Sequence, residues 1–327
     1  MGAIHEMAGS EERIGAITDE YCRSAYGSPF SPPREVLVIA PTHAEGDRIT
    51  ESIRERLKAQ QVLGQQERTL AVLKNRQLTE AEKQQPENYH PGDVVVFHQN
   101  SKGVKAGRKL EVSSIDAGGI FAKDSNDTSY TIALSEAKKF TVYEPRSIQV
   151  TEGDKIRLTA NGKSREGKNL FNGSSFRIER FDAEGNMLLS NGSTLSPDFG
   201  HIAHGYCLTS HASQGKTTDK VILSQSSATF RASSLEQFYV SVSRGKQAVS
   251  IYTDDKADLL QAVCHSSERT SATELMAKRD AQIQEINHVS LFRRWQEKAV
   301  ERYEHLTARF KDHGLQTETR TEPAHER

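Results

Sequence analysis

The segment EVLVIAPTHAEGDRITESIRERLKAQ, Glu35 to Gln60, predicts the fold class of this chain. It begins with a continuous apolar run, Val36 to Ala40, which is typical of a short strand buried on both faces. After a turn, Ile49, Ile53 and Leu57 recur at every fourth residue, a spacing that places them on one face of a helix. A buried strand followed at once by a helix is one βα unit, so the segment predicts an α/β fold with a parallel sheet.

The same α/β pattern returns after residue 200. GYCLTSH and DKVILSQ predict strands, SLEQFYVSVSR a helix that begins at Ser233 or Ser234, AVSIYTD a third strand, and KADLLQAVCH a second helix. From about Thr273 an apolar stripe predicts a helical tail with a packing face, and QTETRTEPAHER is expected to be disordered. The stripe consists of Phe292, Trp295, Ala299, Tyr303, Leu306 and Phe310.

An all-β insertion separates the two α/β parts. Between about Tyr89 and Thr194, short β-type runs alternate with Gly, Asn and Asp turns. PGDVVVFHQN (Pro91 to Asn100) and EGDKIRLTAN (Glu152 to Asn161) share a Gly-Asp turn, a strand and a closing Asn. Either two small barrels are built on the same start, or ordinary turn chemistry produces the match.

Length, charge and cysteine content narrow the class of protein. The 327 residues are enough for two modest domains, and the formal net charge of −1 excludes an overall basic footprint, so any DNA contact has to be local. Cys22, Cys207 and Cys264 are odd in number and widely spaced, which favours free thiols in a reducing cytoplasm. No apolar segment approaches the roughly 18 residues of a membrane span. We therefore expect a cytoplasmic protein that has no membrane partner.

The triplet Gly215-Lys216-Thr217 resembles the end of a phosphate-binding loop, G-x-x-x-x-G-K-[ST]. The position that requires the first glycine is Ser210, and the residues between lack the glycines that let backbone amides wrap a phosphate. HASQGKT therefore does not predict a free-standing ATPase. Without further context, Lys216 and Thr217 are equally well explained as solvated residues that open a helix after a strand.

HIAHGYCLTSH concentrates zinc-competent side chains within eleven residues: His201, His204, Cys207 and His211. From Gly205 onward the residues indicate a buried strand, in which Cys207 and His211 share a face about 13 Å apart. That distance is too large for one ion without a sharp turn, so we expect no metal site. A G-x-S-x-G nucleophile elbow around Ser213 also fails, because His211 stands where the first glycine is required.

Four stretches carry a family signature when they are taken in order. They are LVIAPTHAEGDRI, GDKIRLTANG, GHIAHGYCLTSHASQGKTTDKVILSQ and EQFYVSVSRGK. In these stretches, from about Val36 to His265, the chain resembles the C-terminal half of the RecD-like superfamily 1 helicase module of MobF-type conjugative relaxases. The resemblance implies a second RecA-like domain with helicase motifs IV, V and VI, interrupted between IV and V by SH3-like barrels.

The resemblance also implies domain boundaries. An N-terminal helical segment and Pro-rich linker occupy residues 1–35, and the RecA-like domain is formed by residues 36–88 and 200–265. The SH3-like barrels occupy residues 89–199. C-terminal helices and the disordered tail follow at residues 266–327.

Candidate site residues follow from the resemblance position by position. HASQGKT corresponds to motif V, which implies that Gln214, Gly215 and Lys216 lie near the nucleotide. Within the same motif DNA phosphates are expected to contact Thr209, His211 and Ser213. QFYVSVSRGK corresponds to motif VI, whose arginine, here Arg244, reaches the γ-phosphate of ATP held by the other RecA-like domain. A planar, permanently charged guanidinium suits that role, whereas a surface salt bridge at a helix end is the alternative for a lone arginine.

Further candidate DNA contacts lie outside motifs V and VI. Thr42 and His43 follow the first predicted strand at its carboxyl end, where ligands bind in open α/β sheets, although they equally suit the role of helix cap. The insertion carries basic patches, which are either DNA contacts or a solvated loop face. These patches contain Lys155, Arg157, Lys163, Arg165 and Lys168, with Lys102, Lys105, Arg108 and Lys109.

Three features of the complete family are not found in the sequence: a Walker-type phosphate loop, an apolar strand ending in Asp-Glu for Mg²⁺, and a histidine cluster with a nicking tyrosine. The resemblance therefore predicts a truncated gene product or fragment of a conjugative DNA helicase. ATP and Mg²⁺ are expected to bind only when a first RecA-like domain, in cis upstream or in trans, completes the site, and the isolated chain is expected not to hydrolyse ATP. Single-stranded DNA is the expected partner. The alternative is a non-enzymatic module that binds single-stranded DNA or protein.

Overall fold

The computed structural model describes residues 4–27, 34–116, 119–232 and 234–264. The predicted C-terminal helices and tail lie outside the described residues. The helices are α1 (Ser10–Tyr26), α2 (His43–Ala59), α3 (Ser210–Ser213), α4 (Leu235–Val242) and α5 (Lys256–Cys264). No helix in the described ranges has the length and apolar character needed to cross a membrane.

The strands fall into a parallel set and an antiparallel set. The parallel set consists of β1 (Ile4–Glu6), β2 (Val36–Ile39), β16 (Cys207–Leu208), β17 (Thr218–Gln225) and β18 (Gly245–Thr253). The antiparallel set consists of β3 (Arg68–Asn75), β4 (Val94–Phe97), β5 (Lys109–Asp116), β6 (Gly119–Lys123), β7 (Ser129–Ile132), β8 (Phe140–Val150), β9 (Lys155–Leu158), β10 (Gly162–Lys163), β11 (Asn169–Leu170), β12 (Ser175–Phe181), β13 (Met187–Leu189), β14 (Thr194–Leu195) and β15 (Ile202–His204).

The parallel sheet has the order β1-β18-β17-β2-β16 and is covered on both faces. Val36 and Val38 pack with Ile49 and Ile53 of α2 in one core cluster. The alternate β2 residues, Leu37 and Ile39, belong to a second cluster, which includes residues of α5. Every residue of β2 is buried, which is why its sequence is apolar throughout. The prediction of an α/β fold with a parallel sheet is confirmed.

The N-terminal segment is part of the parallel-sheet domain, whereas the sequence predicted a helical segment outside that domain. β1 pairs with β18 in parallel, and α1 packs against α2 and β2. The Glu20 carboxylate on α1 accepts hydrogen bonds from Ser250 Oγ at 2.6 Å and from the Tyr252 hydroxyl, and it pairs with Lys220 Nζ at 2.7 Å. Burial raises the pKa of Glu20, but these bonds outweigh it and hold the pKa below its usual value. The carboxylate thereby ties α1 to β17 and β18.

The insertion forms two antiparallel sheets. The first has the order β3-β8-β4-β5-β6-β7, and the second has the order β14-β13-β12-β9-β15, beside the hairpin β10-β11. The insertion begins at Arg68 and ends at His204, because β3 pairs with β8 and β15 pairs with β9. The predicted limits of 89–199 are therefore too narrow at both ends. The assignment of these sheets as SH3-like barrels stays a prediction.

The two Gly-Asp turns, Gly92-Asp93 and Gly153-Asp154, make the same hydrogen bonds in the two sheets. Gly92 and Gly153 have φ angles of 91° and 88°, which glycine adopts without strain. The carboxylates that follow are buried, and each accepts a backbone N–H from three residues earlier, His90 to Asp93 at 2.9 Å and Thr151 to Asp154 at 2.8 Å. The two segments therefore share the same turn chemistry, and whether they begin two small barrels stays a prediction.

The second sheet is joined to the parallel-sheet domain through Asp154. Arg54 of α2 donates two parallel hydrogen bonds to this carboxylate, each 2.9 Å long, and the Tyr206 hydroxyl donates a third at 2.9 Å. Tyr206 directly precedes β16, and its oxygen in turn accepts from the Lys155 backbone N–H at 3.1 Å. A bidentate guanidinium–carboxylate pair fixes both position and angle. The contact therefore orients the insertion relative to α2 and β16.

Candidate nucleotide and DNA site

The motif V segment forms a short helix followed by a tight turn. Thr209 Oγ1 accepts a hydrogen bond from the Ala212 N–H at 3.3 Å and so caps α3. Gly215 has a φ of 80°, and Lys216 leads directly into β17. The helix lies before the Gly-Lys-Thr triplet and a strand lies after it, which reverses the strand–loop–helix order of a phosphate-binding loop. The alternative interpretation, that Lys216 and Thr217 open a helix, is wrong for the same reason.

Motif V and motif VI are held together by buried serines. The hydroxyl oxygens of Ser210 on α3 and Ser241 on α4 are 2.9 Å apart, and both residues are buried. The Ser241 hydroxyl also donates to the Gln237 carbonyl oxygen at 2.7 Å. Ser213 is 0% exposed, and its hydroxyl donates to the Ser210 carbonyl oxygen at 2.7 Å. The prediction that Ser213 contacts DNA phosphates is corrected accordingly, since its side chain is a packing group.

Arg244 lies at the end of α4, against the motif V turn. Its Nε donates to the Val240 carbonyl oxygen at 2.8 Å, and Nη2 donates to Ser243 Oγ at 3.1 Å. Nη1 lies 3.4 Å from the Lys216 carbonyl oxygen, near the limit of a hydrogen bond. Within the described part of the chain, Arg244 makes no ion pair with a carboxylate. The surface salt bridge that sequence reasoning left open is therefore not what holds this side chain.

The two motifs also share a main-chain contact. The Thr218 N–H donates to the Arg244 carbonyl oxygen at 2.9 Å, at the point where β17 and β18 begin. Gln214 and Gly215 are exposed beside this contact, and Lys216 is half-buried. The structure thus brings together Arg244 and the three residues predicted to lie near the nucleotide, at the amino-terminal edge of the parallel sheet.

The predicted DNA contacts of motifs IV and V lie at the opposite edge. Thr42 follows β2, Thr209 follows the neighbouring parallel strand β16, and the two strands are joined by the Ala40 N–H to the Leu208 carbonyl oxygen at 2.9 Å. Thr42 Oγ1 accepts from the Glu45 N–H at 3.4 Å, so the capping alternative holds for this residue. His43 and His211 are exposed on the first turns of α2 and α3. The exposed imidazoles are the groups at this edge that are available to a ligand.

Four cations meet where the second antiparallel sheet faces the motif V turn; we name Lys155, Arg157, Arg177 and Lys216 the cationic seam. Lys155 and Arg157 alternate along β9 and therefore share a face, and Arg177 of β12 is the register partner of Lys155. The ammonium of Lys216 donates to the Gly173 carbonyl oxygen at 2.7 Å. Sequence reasoning missed Arg177, although the alternation of SFRIERF places it on the polar side of its strand.

The other basic candidates are distributed differently. Arg165 pairs with Glu184 at 2.7 Å, and Arg108 pairs with Asp124 at 2.5 Å, so these charges are offset locally. Lys109 Nζ lies 3.4 Å from the Asp198 carbonyl oxygen. The remaining lysines are exposed, and they are Lys102, Lys105, Lys163 and Lys168. Of the predicted barrel cations, Lys155 and Arg157 are the pair that interacts electrostatically with Lys216.

The zinc-competent cluster is spread over three elements. His204 on β15 places Nε2 2.9 Å from the Gln149 carbonyl oxygen, and His201 packs edge-on against Tyr143 and Phe199. Burial lowers the pKa of His201 to about 4. The predicted strand GYCLTSH is shorter than expected, because α3 begins at Ser210 and carries His211. Among the described residues no group of three or more His, Cys, Asp or Glu side chains is arranged to hold a metal, and the three cysteines are free thiols.

Comparison with known proteins gives one similar curated protein and several similar solved structures. No protein-family model matches the chain. The multifunctional conjugation protein TraI of Escherichia coli is 25% identical over 174 residues, which are 50% of this chain and 10% of TraI. Pif1 helicase from Bacteroides, in complex with ADP-AlF3 and ssDNA, matches 85% of this chain and 51% of its own at 16% identity and a TM-score of 0.26. Pif1 helicase from Candida albicans matches 84% and 58% at 13% identity and a TM-score of 0.24.

The chain therefore spans about a tenth of the length of TraI and about half of the length of the Pif1 chains. The RecD-like assignment stays a prediction. The resemblance to a conjugation protein is confirmed by the similarity to TraI, and the assignment to the C-terminal half of a superfamily 1 helicase module is taken up as a proposal below.

Proposed function

We propose that this chain supplies motifs IV, V and VI to an ATP-dependent DNA helicase of the conjugative relaxase type. The observation that carries the proposal is the convergence of two distant segments, since Lys216 and Arg244 meet at one edge of the parallel sheet. A helicase needs its nucleotide sensor and its DNA-contacting loop on the same rigid support. The Ser210–Ser241 contact joins those two segments through the core.

In this proposal Arg244 acts as an arginine finger. Phosphoryl transfer from ATP needs a loop that holds the β- and γ-phosphates, a carboxylate that holds Mg²⁺, and a cation that stabilises charge on the transferring oxygens. This chain offers the third group, and a first RecA-like domain has to supply the first two. Arg244 satisfies its nitrogens on its own chain, with the longest bond at 3.4 Å, so turning toward a phosphate breaks few strong contacts.

Exposed apolar side chains on α4, the helix that leads to Arg244, and on α5 support a partner domain on this side. Leu235 and Tyr239 are one turn apart on α4, and Leu260 lies on the neighbouring helix α5. Their exposures are 39%, 60% and 65%. Large apolar side chains that remain exposed in a group mark interaction surfaces more often than isolated ones do. We assign this face to the first RecA-like domain.

Single-stranded DNA is the proposed nucleic acid, with contacts at the edge that carries His43 and His211. Thr42 and Thr209 are proposed to contact DNA through their backbone and not through their side chains, because both side chains are engaged as helix caps. Their positions at the first turns of helices still offer backbone N–H groups to phosphates.

Reconstitution of ATP hydrolysis tests the proposal. The isolated chain should show no ATPase activity above background, and a matching first RecA-like domain should restore hydrolysis that single-stranded DNA stimulates. Arg244→Ala should remove most of the restored rate, by roughly a thousandfold or more as for other arginine fingers. Arg244→Lys should not rescue it, because an ammonium lacks the planar, two-pronged geometry.

The control concerns the Gly-Lys-Thr triplet. If the triplet is not a phosphate loop, Lys216→Ala should alter DNA stimulation more than nucleotide affinity. ATP hydrolysis by the isolated chain that is abolished by Lys216→Ala and unaffected by Arg244→Ala would contradict the proposal.

The second candidate is a non-enzymatic module that binds single-stranded DNA, and the cationic seam favours it. The two functions differ in what a first RecA-like domain does. In the second case DNA binding is present, whereas no added domain restores ATP hydrolysis.

A further inference from the structure

The cationic seam is built on one face of the second antiparallel sheet. Arg157 on β9 is the register partner of Ser175 on β12, and Lys155 is the register partner of Arg177. The side chains of these two pairs therefore project from the same face of the sheet. The opposite side carries Ile156 and Leu158, which are fully buried in the sheet's own core. Lys216 approaches the seam from the motif V turn through its bond to the Gly173 carbonyl oxygen.

Positive charge in the seam exceeds the negative charge that faces it. Glu35 is a carboxylate that acts on both Lys155 and Lys216, whereas Lys216 and Arg177 act on Lys155 as like charges and Arg157 acts on Lys216 as a like charge. Burial is the main cause that lowers the pKa of Lys155, Arg157 and Lys216. Arg177 donates to the Tyr26 hydroxyl at 3.1 Å, which is a neutral partner.

Arg157 is the least satisfied member. Its Nε is fully buried and has no hydrogen-bond partner, and in the described part of the chain no atom of its guanidinium forms a hydrogen bond or an ion pair. A buried donor without a partner costs free energy, and for a charged group the cost is larger. A cluster of this kind is unfavourable for folding unless an anion completes it.

We propose that the cationic seam binds a phosphate group, with Arg157 and Lys155 as its ligands and with Arg177 and Lys216 on either side. The guanidinium of Arg157 presents a planar pair of donors that matches phosphate oxygens, and Lys155 adds a second cation on the same strand face. The site deepens the proposed function and rests on it only for the source of the phosphate, which we take to be the backbone of single-stranded DNA. Lys216 then belongs to a DNA phosphate site and is not a nucleotide contact.

The seam variants separate binding from folding. Arg157→Gln should weaken the binding of an oligothymidylate of about 15 nucleotides by about tenfold at low salt. The slope of log affinity against log salt should become shallower by about 0.7, the value for one phosphate contact on a single strand. Lys155→Gln should do the same. Arg180→Gln is the matched control, because it removes the same charge from an exposed position of the neighbouring strand β12 and should leave both quantities unchanged.

Thermal unfolding supplies the readout that a purely structural role would not give. Without ligand, Arg157→Gln should raise the Tm by about 2 °C or more, because a half-buried charge whose buried Nε has no partner is removed. The oligothymidylate should raise the Tm of the unaltered chain more than that of the Arg157→Gln chain. A lower Tm for Arg157→Gln together with unchanged DNA affinity would overturn the site.

Inorganic phosphate and ADP distinguish the source of the anion. If the DNA backbone is the ligand, oligothymidylate should protect at concentrations where neither inorganic phosphate nor ADP does. Protection by ADP that Arg157→Gln removes would overturn the assignment to DNA and move the seam to the nucleotide. Loss of DNA binding in the seam variants with no ATPase upon addition of a first RecA-like domain would uphold the seam and refute the proposed function.

Discussion

Asp154 accepts four hydrogen bonds and has no solvent exposure. Oδ1 accepts from Arg54 Nε and the Tyr206 hydroxyl, both at 2.9 Å, and Oδ2 accepts from Arg54 Nη2 at 2.9 Å and the Thr151 N–H at 2.8 Å. Every lone pair of this carboxylate is used, which is the condition under which a buried charge is tolerated. The donors come from Arg54, Tyr206 and Thr151, which lie in three separate parts of the chain. Removal of the carboxylate therefore leaves donors in all three parts without their partner.

Asp154→Ala should therefore lower the free energy of unfolding by about 3–5 kcal/mol, the range for breaking a buried ion pair, since Arg54 is left without its main partner. Glu67→Gln is the matched control, because Glu67 also pairs with Arg54, at 3.1 Å, but is one-third exposed. Its loss should cost about 1 kcal/mol or less. Urea denaturation measures both variants. Equal losses for the two would show that burial does not set the strength of this contact.

The sequence predicted the Gly-Asp turn but not the partner of its carboxylate. Turn chemistry is local, because the glycine φ and the backbone donor lie within three residues of the aspartate. Arg54 stands 100 residues earlier in the chain and belongs to a helix whose exposed face carries several other charged residues. Nothing in the helical spacing separates Arg54 from Arg56, which is exposed. Such pairs are determined by how distant elements meet.

At the scale of elements, the contact of α3 with α4 links the two segments that we propose as motifs V and VI. α3 has four residues and cannot be stable by itself, so its position depends on its cap and on its packing partners. Ser234, one of the two predicted helix starts, caps α4 by accepting from the Gln237 N–H at 3.3 Å. The two caps and the Ser210–Ser241 contact together hold these short helices in register.

Ser241→Ala should destabilise the chain by about 1–3 kcal/mol, because the buried Ser210 hydroxyl loses its neighbour. In the reconstituted ATPase the same variant should reduce stimulation by DNA more than the basal rate. Gln237→Ala, an exposed substitution on the same helix, is the control and should change neither quantity. Urea denaturation and ATPase assays with and without single-stranded DNA measure these effects. A Ser241→Ala chain as stable and as DNA-responsive as the control would contradict this coupling.

Element prediction succeeded where the apolar pattern was long and failed where pairing decides the structure. β2, β17, β18, α2, α4 and α5 were all predicted from local periodicity. β16 has two residues, and β15 just before it belongs to a different sheet, so GYCLTSH gave no signal for the change of partner. Strand exchange of this kind depends on which neighbours supply hydrogen bonds, and a single stretch of sequence does not encode that choice.

At the scale of the molecule, sequence reasoning identified a parallel-sheet domain interrupted by an all-β insertion. It placed the first residues outside that domain, because β1 has three exposed residues and no apolar run. Their contribution is visible only in the register with β18. His43 and His211 lie at the opposite edge of the sheet from Arg244, whereas the cationic seam meets the same turn as Arg244 through Lys216, so the proposed DNA contacts extend over both edges.

A partner domain on the face of Leu235, Tyr239 and Leu260 is the prediction that concerns the whole molecule. Tyr239→Ser should weaken association with a first RecA-like domain by about tenfold or more, as for an aromatic residue central to an interface. Phe171→Ser is the matched control, since Phe171 is 63% exposed against 60% for Tyr239 but lies after β11 in the insertion. Sedimentation or calorimetric titration gives both affinities, and each variant alone should keep its Tm because both side chains are exposed. If Phe171→Ser weakens association and Tyr239→Ser does not, the first domain docks on the insertion and not on α4 and α5, which would refute the assignment of this apolar face.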